Sequence, residues 1–205
     1  MPSRNVIKEQ APESYYHVYA RGSNKQKIFL EAADYKYFLN LFERYLSDEP
    51  AISKTGEIYP HFKNQVILLT YCLMSNHFHL LMYQKDIPSL EKFMRSLMTS
   101  YSRYFNLKYK RTGSLFESRY KASRIDSNSY LRHITRYIHL NPRRWQTYRY
   151  SSLRHYAEPA EAPDWIDPRV ILEVFDDTHQ YMEFVADYEE LRDEIADLKH
   201  QLADR

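Results

Sequence analysis

The feature that most narrows what this chain can become is a run of largely apolar residues, VILLTYCLM (66–74), followed after Ser75-Asn76 by a second run, HFHLLMY (77–83). A membrane helix needs about 20 consecutive apolar residues, so neither run is long enough to cross a bilayer. Both are rich in residues that favour pleated backbone, and Ser-Asn supplies turn chemistry between them. They read as two strands joined in a hairpin, with 66–74 buried and Cys72 inside it as an inert thiol.

The flanking segments extend the pattern. YYHVYA (15–20) alternates as a strand, and Arg21-Gly22-Ser23-Asn24 follows as a turn. From Ala33 to Leu46, Tyr37, Phe38, Leu41, Phe42 and Tyr45 recur at helical spacing, and Ser47 to Pro50 ends that helix. Pro88 and Ser89 open a second helix reaching Asn106, with Leu90, Phe93, Met94, Leu97, Tyr101, Tyr104 and Phe105 on its inner face. A fourth strand is expected over 119–124, and Asp126 or Ser127 can cap a helix that runs to Asn141 and stops before Pro142. The order β-α-β-β-α-β-α fits an α+β, ferredoxin-like βαββαβ sandwich, an antiparallel sheet with helices on one face and one further helix at the end.

Charge divides the chain. Residues 1–157 hold 25 Lys/Arg against 12 Asp/Glu, while 158–205 hold 4 against 15. The first part, 1–157, reads as a basic body and the second, 158–205, as an acidic, helical C-terminal extension. In that extension Phe184, Tyr188, Leu191, Ile195, Leu198 and Leu202 form a heptad-like stripe, suited to a short homodimer or to folding back on the body. A basic body carrying many of the 20 Tyr residues is the footprint of a phosphate-backbone binder whose rings can stack on bases. The opening residues, MPSRNVIKEQAPES, lack the apolar stretch of a signal peptide, and Cys72 has no second cysteine to pair with. Both point to the cytoplasm.

His77 and His79 alternate with Phe78, so both imidazoles leave the same face of their strand while Phe78 points to the other. Two such rings can share one metal ion, and partly buried imidazoles at the start of an apolar strand favour a common partner. The plainer reading is a pair of strand-surface histidines. Tyr137 and Asn141 lie four residues apart near a helix end and therefore share a side of it. A phenol there can attack a phosphate, and an amide oxygen can complete a shell around Mg²⁺ or Mn²⁺, hard ions that accept mixed nitrogen and oxygen ligands. Alternatively, Tyr137 packs on the sheet and Asn141 caps the helix.

Taken together, YYHVYARGSNKQKIF, YCLMSNHFHLLMY, SLFESRYKA and YLRHITRYIHLNPRR followed by YSS resemble the single-tyrosine HUH-type transposases. The resemblance is to the branch of REP-associated tyrosine transposases, and the matching pieces span 15–152 in order. It implies that His77 and His79 are metal ligands with Asn141, and that Tyr137 is the nucleophile. It further implies cleavage and rejoining of single-stranded, hairpin-flanked DNA through a 5′-phosphotyrosine and a free 3′-OH, with no energy-rich cofactor. The chain departs from many relatives at Arg143-Arg144-Trp145-Gln146, where they carry a short apolar run, and in its acidic end.

For DNA contacts, Arg119, Lys121 and Arg124 are expected along one face of the fourth strand, with Arg136, Arg143 and Arg144 flanking the Tyr137–Asn141 pair. Arg95, Arg103, Lys108, Lys110 and Arg111 would extend the track, and Tyr109 or Tyr120 would offer a stacking face. Arg21 and Gly22 supply a turn with a phosphate contact. Tyr130 is a rival nucleophile two helical turns before Tyr137, and His133 could orient Tyr137. A basic, metal-bearing setting would favour the phenolate. Two other functions fit the same residues: a catalytically silent DNA-binding protein, and a metal-dependent phosphodiesterase in which water attacks.

Overall fold

The computed structural model describes residues 10–187 of the 205. Four strands, β1 (Ser14–Arg21), β2 (Val66–Met74), β3 (His77–Gln84) and β4 (Lys121–Ile125), form one sheet in the order β2-β3-β1-β4. Every neighbouring pair is antiparallel. The hairpin between β2 and β3 turns at Ser75-Asn76, as the sequence predicts, and β2 shifts register between Leu68 and Thr70.

The helices are α1 (Ala32–Leu46), α2 (Ser89–Lys108), α3 (Asn128–His139), α4 (Leu153–Ala157), α5 (Arg169–Leu172) and α6 (Thr178–Ala186). A reciprocal box of Glu31 and Asp34 caps α1, and the Ser127 hydroxyl, one of two expected caps, accepts from the Tyr130 amide at the start of α3. The expected boundaries shift by one or two residues. β4 begins at Lys121 rather than Arg119, and α3 ends at His139 rather than Asn141.

Two cores lie on opposite faces of the sheet. Tyr16, Val18, Ala20, Phe78, Leu80 and Met82 join Phe38, Leu41, Phe42, Phe93, Leu97 and Tyr101 of α1 and α2 in one of them. On the other face, Cys72 and Leu81 pack with Leu131, Ile134, Tyr137 and Ile138 of α3, and with Tyr156, Ile171, Tyr181 and Val185 beyond it. Helices on one face alone were expected; the structure corrects this, because α3 and the segments after it bury the second face of the sheet. The stripe on α3 is strongly one-sided, so the helix needs an apolar floor, and the α3-facing residues of β2 and β3 provide one.

The acidic segment contributes to this second layer through residue 187. The Asp167 amide donates to the Leu68 carbonyl, and the amides of Leu73 and Ser152 bond across the edge of β2 to the carbonyls of Tyr150 and Tyr71. These bonds occupy a strand edge that would otherwise present unpaired backbone groups. Of the heptad-like stripe, Phe184 packs against the second core, whereas Tyr188 and the rest lie outside the described residues. Among the described residues no helix is long and apolar enough to cross a membrane.

Candidate active site

Strand register assembles the site. Tyr19 pairs with His79 and Arg21 with His77 across β1 and β3, so His17, Tyr19 and Arg21 leave β1 on the same face as His77 and His79 leave β3. Phe78 points to the opposite core and is fully buried, as the alternation predicts. α3 lies over this face and brings Tyr137 to the histidines, with ring centroids 5.4 Å from His79 and 5.9 Å from His17, both edge-on. Asn141 stands just beyond the helix on the same side and lines the same cavity.

That cavity, about 310 Å³, is lined by His77, His79, Tyr137 and Asn141 together with His17, Tyr19, Arg21, Arg119, Lys121 and Glu117. His77 Nδ1 lies 2.7 Å from Asn76 Oδ1, and its Nε2 faces Asn141 Oδ1 at 3.3 Å. With the Nδ1 proton given to Asn76, Nε2 and the Asn141 oxygen are two acceptors turned toward each other. A cation between them would satisfy both. On that observation the residues fit a divalent ion, with His77, His79 and Asn141 as a neutral donor set. Among the described residues there is no cluster of three His, Cys, Asp or Glu suited to a metal.

His17 was not singled out by sequence. It is fully buried, and its Nε2 lies 2.9 Å from His79 Nδ1. Burial holds its pKa down to about 3, and burial likewise lowers that of His77, against a rise from Asn141 and a further lowering by Arg21. The period-two pattern His17, Tyr19, Arg21 was readable, but only the pairing of β1 with β3 gives it meaning.

Tyr137 is 7% exposed. Burial raises its phenol above the usual tyrosine range, while a hydrogen bond with the Asn141 side chain and the Arg21 guanidinium draw it back and Tyr19 and Cys72 push it up. Among the protein's own groups burial dominates and disfavours the phenolate.

The basic residues separate. Arg119 and Lys121 reach the cavity, but Arg124 pairs with Tyr16 on the α1/α2 face, because its distance from Lys121 is odd and strand side chains alternate. Arg136 is 1% exposed: it donates to the Phe184 carbonyl, pairs with His133 and sits 4.2 Å over the Phe184 ring. Burial in the α3–α6 contact corrects its expected place at the DNA surface. Arg143 and Arg144 are exposed after α3. Lys108 and the Tyr109 hydroxyl are engaged by Asp34, Arg111 by Gln26, and Tyr120 is buried, so none of these forms part of an open track. Tyr130 and His133 do not line the cavity.

A ferredoxin-like sheet whose paired histidines face a helical tyrosine and a following amide defines the class of single-tyrosine HUH proteins. The family model for IS200-like transposases matches residues 10–141, and the chain belongs to that family. Among solved structures, a REP-associated tyrosine transposase bound to a REP hairpin shares the fold with a TM-score of 0.56 at 11% identity, covering 79% of this chain and 90% of that one. A search of curated proteins finds no match.

Proposed function

We propose that this chain cuts and rejoins single-stranded DNA beside a hairpin, with Tyr137 forming a 5′-phosphotyrosine. The observation that carries this reading is the convergence of Tyr137, His77, His79 and Asn141 on one cavity flanked by Arg21, Arg119 and Lys121. The hairpin carried by the fold relative supports the choice of DNA.

In this reading the guanidiniums of Arg119 and Arg21 and the Lys121 ammonium hold the backbone phosphates, and Arg143 and Arg144 hold the strand beyond α3. The Tyr137 oxygen attacks phosphorus as its proton leaves. The bond from phosphorus to the 3′-oxygen breaks, and that oxygen takes up a proton to leave as a 3′-OH. Attack by another 3′-OH on the phosphotyrosine reverses the step and restores the phenol, so the bond energy is conserved throughout. The Asn141 side chain holds the Tyr137 hydroxyl, and packing on the sheet restricts the ring. His77, His79 and Asn141 would hold a Mg²⁺ or Mn²⁺ ion, which would supply charge to polarise the scissile phosphate. Because the donor set is neutral, the substrate phosphate adds the compensating charge, and binding of ion and DNA should be mutually reinforcing.

The test is an adduct assay with hairpin-flanked single-stranded DNA labelled at its 3′ end, in Mg²⁺ or Mn²⁺. A denaturant-stable protein–DNA band that is lost in Tyr137→Phe and His77→Ala is expected. Cleavage without an adduct would instead favour attack by water. Binding without cleavage across many hairpins would identify a silent DNA-binding protein.

A further inference from the structure

We propose that His17 is a positioning residue that determines which nitrogen of His79 carries the proton, and so whether Nε2 keeps a lone pair for the cavity, a role that rests on reading His77, His79 and Asn141 as the ligand set. A neutral imidazole carries one N–H, and the pair His17 Nε2 and His79 Nδ1, 2.9 Å apart, has room for one proton between its atoms. Among the described residues no carboxylate is paired with the fully buried His17 to offset the loss of water, so burial favours its neutral form.

Two arrangements remain. If His17 donates, the proton of His79 sits on Nε2 and closes that nitrogen to a cation. If His79 donates from Nδ1, its Nε2 keeps a lone pair for the cavity. His77 already follows the second rule: its Nδ1 is held by Asn76 Oδ1, an oxygen that can only accept, and its Nε2 faces Asn141. His17 does for His79 what Asn76 does for His77.

The geometry suits this task. The two ring planes lie within 13° of each other with centroids 5.1 Å apart, the spacing of imidazoles joined edge to edge by an in-plane bond. His17 sits on β1 opposite Leu81, diagonal to His79, so backbone register holds the donor–acceptor line. Among the described residues the other nitrogen of His17, Nδ1, has no hydrogen-bond partner. A buried imidazole with one unpaired nitrogen is less stable than a leucine or phenylalanine at the same place. Its presence is accounted for by what Nε2 does.

Two substitutions separate positioning from packing. His17→Gln retains an acceptor oxygen near the His79 ring, whereas His17→Leu removes it and keeps the site apolar. Long-range proton–nitrogen NMR of the metal-free full chain reads the His79 tautomer, and Mn²⁺ binding followed by electron paramagnetic resonance reads affinity. In the wild type, His79 should be protonated on Nδ1 with Nε2 bare. In a folded His17→Leu variant the single tautomer should be lost and Mn²⁺ should bind about 10–100-fold more weakly. His17→Gln should recover most of both. A wild-type His79 protonated on Nε2, or a folded His17→Leu variant with unchanged tautomer and affinity, would overturn the proposal. If the wild type shows the expected His17-dependent tautomer but binds no Mn²⁺, the positioning role stands and the ligand-set reading fails.

Discussion

Arg136 adjoins the nucleophile in sequence, yet the structure makes it a clamp between helices, and replacing it tests that difference. In Arg136→Ala the charged hydrogen bond to the Phe184 carbonyl is lost, a contribution of about 1.5–3 kcal/mol for a charged donor. The guanidinium, 4.2 Å from the Phe184 ring and 1% exposed, adds about 2 kcal/mol of desolvated cation–π attraction. Together these give a loss of roughly 4 kcal/mol, which for a domain of this size lowers the melting temperature by about 8–16 °C. Arg136→Met likewise leaves the Phe184 carbonyl without its charged donor but keeps an apolar stem to fill the site, and should cost less. Urea unfolding followed by tryptophan fluorescence measures both. The second readout is the dependence of DNA affinity on salt, measured at a temperature where each variant is folded. A phosphate contact contributes about 0.7 to the slope on single strands, so Arg119→Ala should lower it by that amount and Arg136→Ala should leave it unchanged. A wild-type unfolding midpoint for Arg136→Ala together with a reduced salt slope would refute the clamp and return Arg136 to the DNA surface.

Other substitutions test neighbouring parts of the fold. Gly22 has an ordinary extended backbone, but a Cβ there would meet the Gln26 carbonyl oxygen at 2.3 Å and Ile28 at 2.8 Å. Gly22→Ala should therefore cost about 1–3 kcal/mol in urea melts and weaken DNA binding through the displaced Arg21. Asp34 is fully buried; burial pushes its carboxyl up, yet Lys108, Tyr109 and the amides of Leu30 and Glu31 bring it below its usual range. Asp34→Ala should lose about 3–5 kcal/mol. Because the folded pKa is depressed, that stability is present above the unfolded value of 3.8 and disappears as pH falls through the folded one, so the gap to wild type should narrow only in strong acid. His155 is held down to about 4 by burial and by Arg154. Its unfolded form takes a proton near 6.5, so wild-type stability should fall as pH drops from 6.5 toward 4, with a slope that His155→Gln reduces by at most about 1.4 kcal/mol per pH unit.

Much of the architecture was readable locally. The apolar runs around Ser75-Asn76 gave the β2–β3 hairpin, and the three- and four-residue spacings gave α1, α2 and α3 close to their observed bounds. His77 and His79 share a face because strand side chains alternate, whatever the sheet around them. The acidic segment was harder to read, since its charge suggested an appendage, whereas Ile171, Phe175, Tyr181 and Val185 bury themselves under α3. Composition averages over a helix, and burial depends on the few positions that face inward.

Sequence by itself determined the candidate ligands and nucleophile, the strand and helix periods, and the kinship with IS200-like transposases, because these depend on residue type and short-range spacing. Tertiary structure decided which charges meet the site. Arg119 and Lys121 line the cavity, Arg124 turns to the other face and Arg136 is buried, distinctions fixed by where β4 begins and by the docking of α6. It also brought His17 to His79, a contact 62 residues apart along the chain. Such a contact exists only through the pairing of β1 with β3, and strand partners are chosen by the packing of the whole sheet rather than by either strand alone.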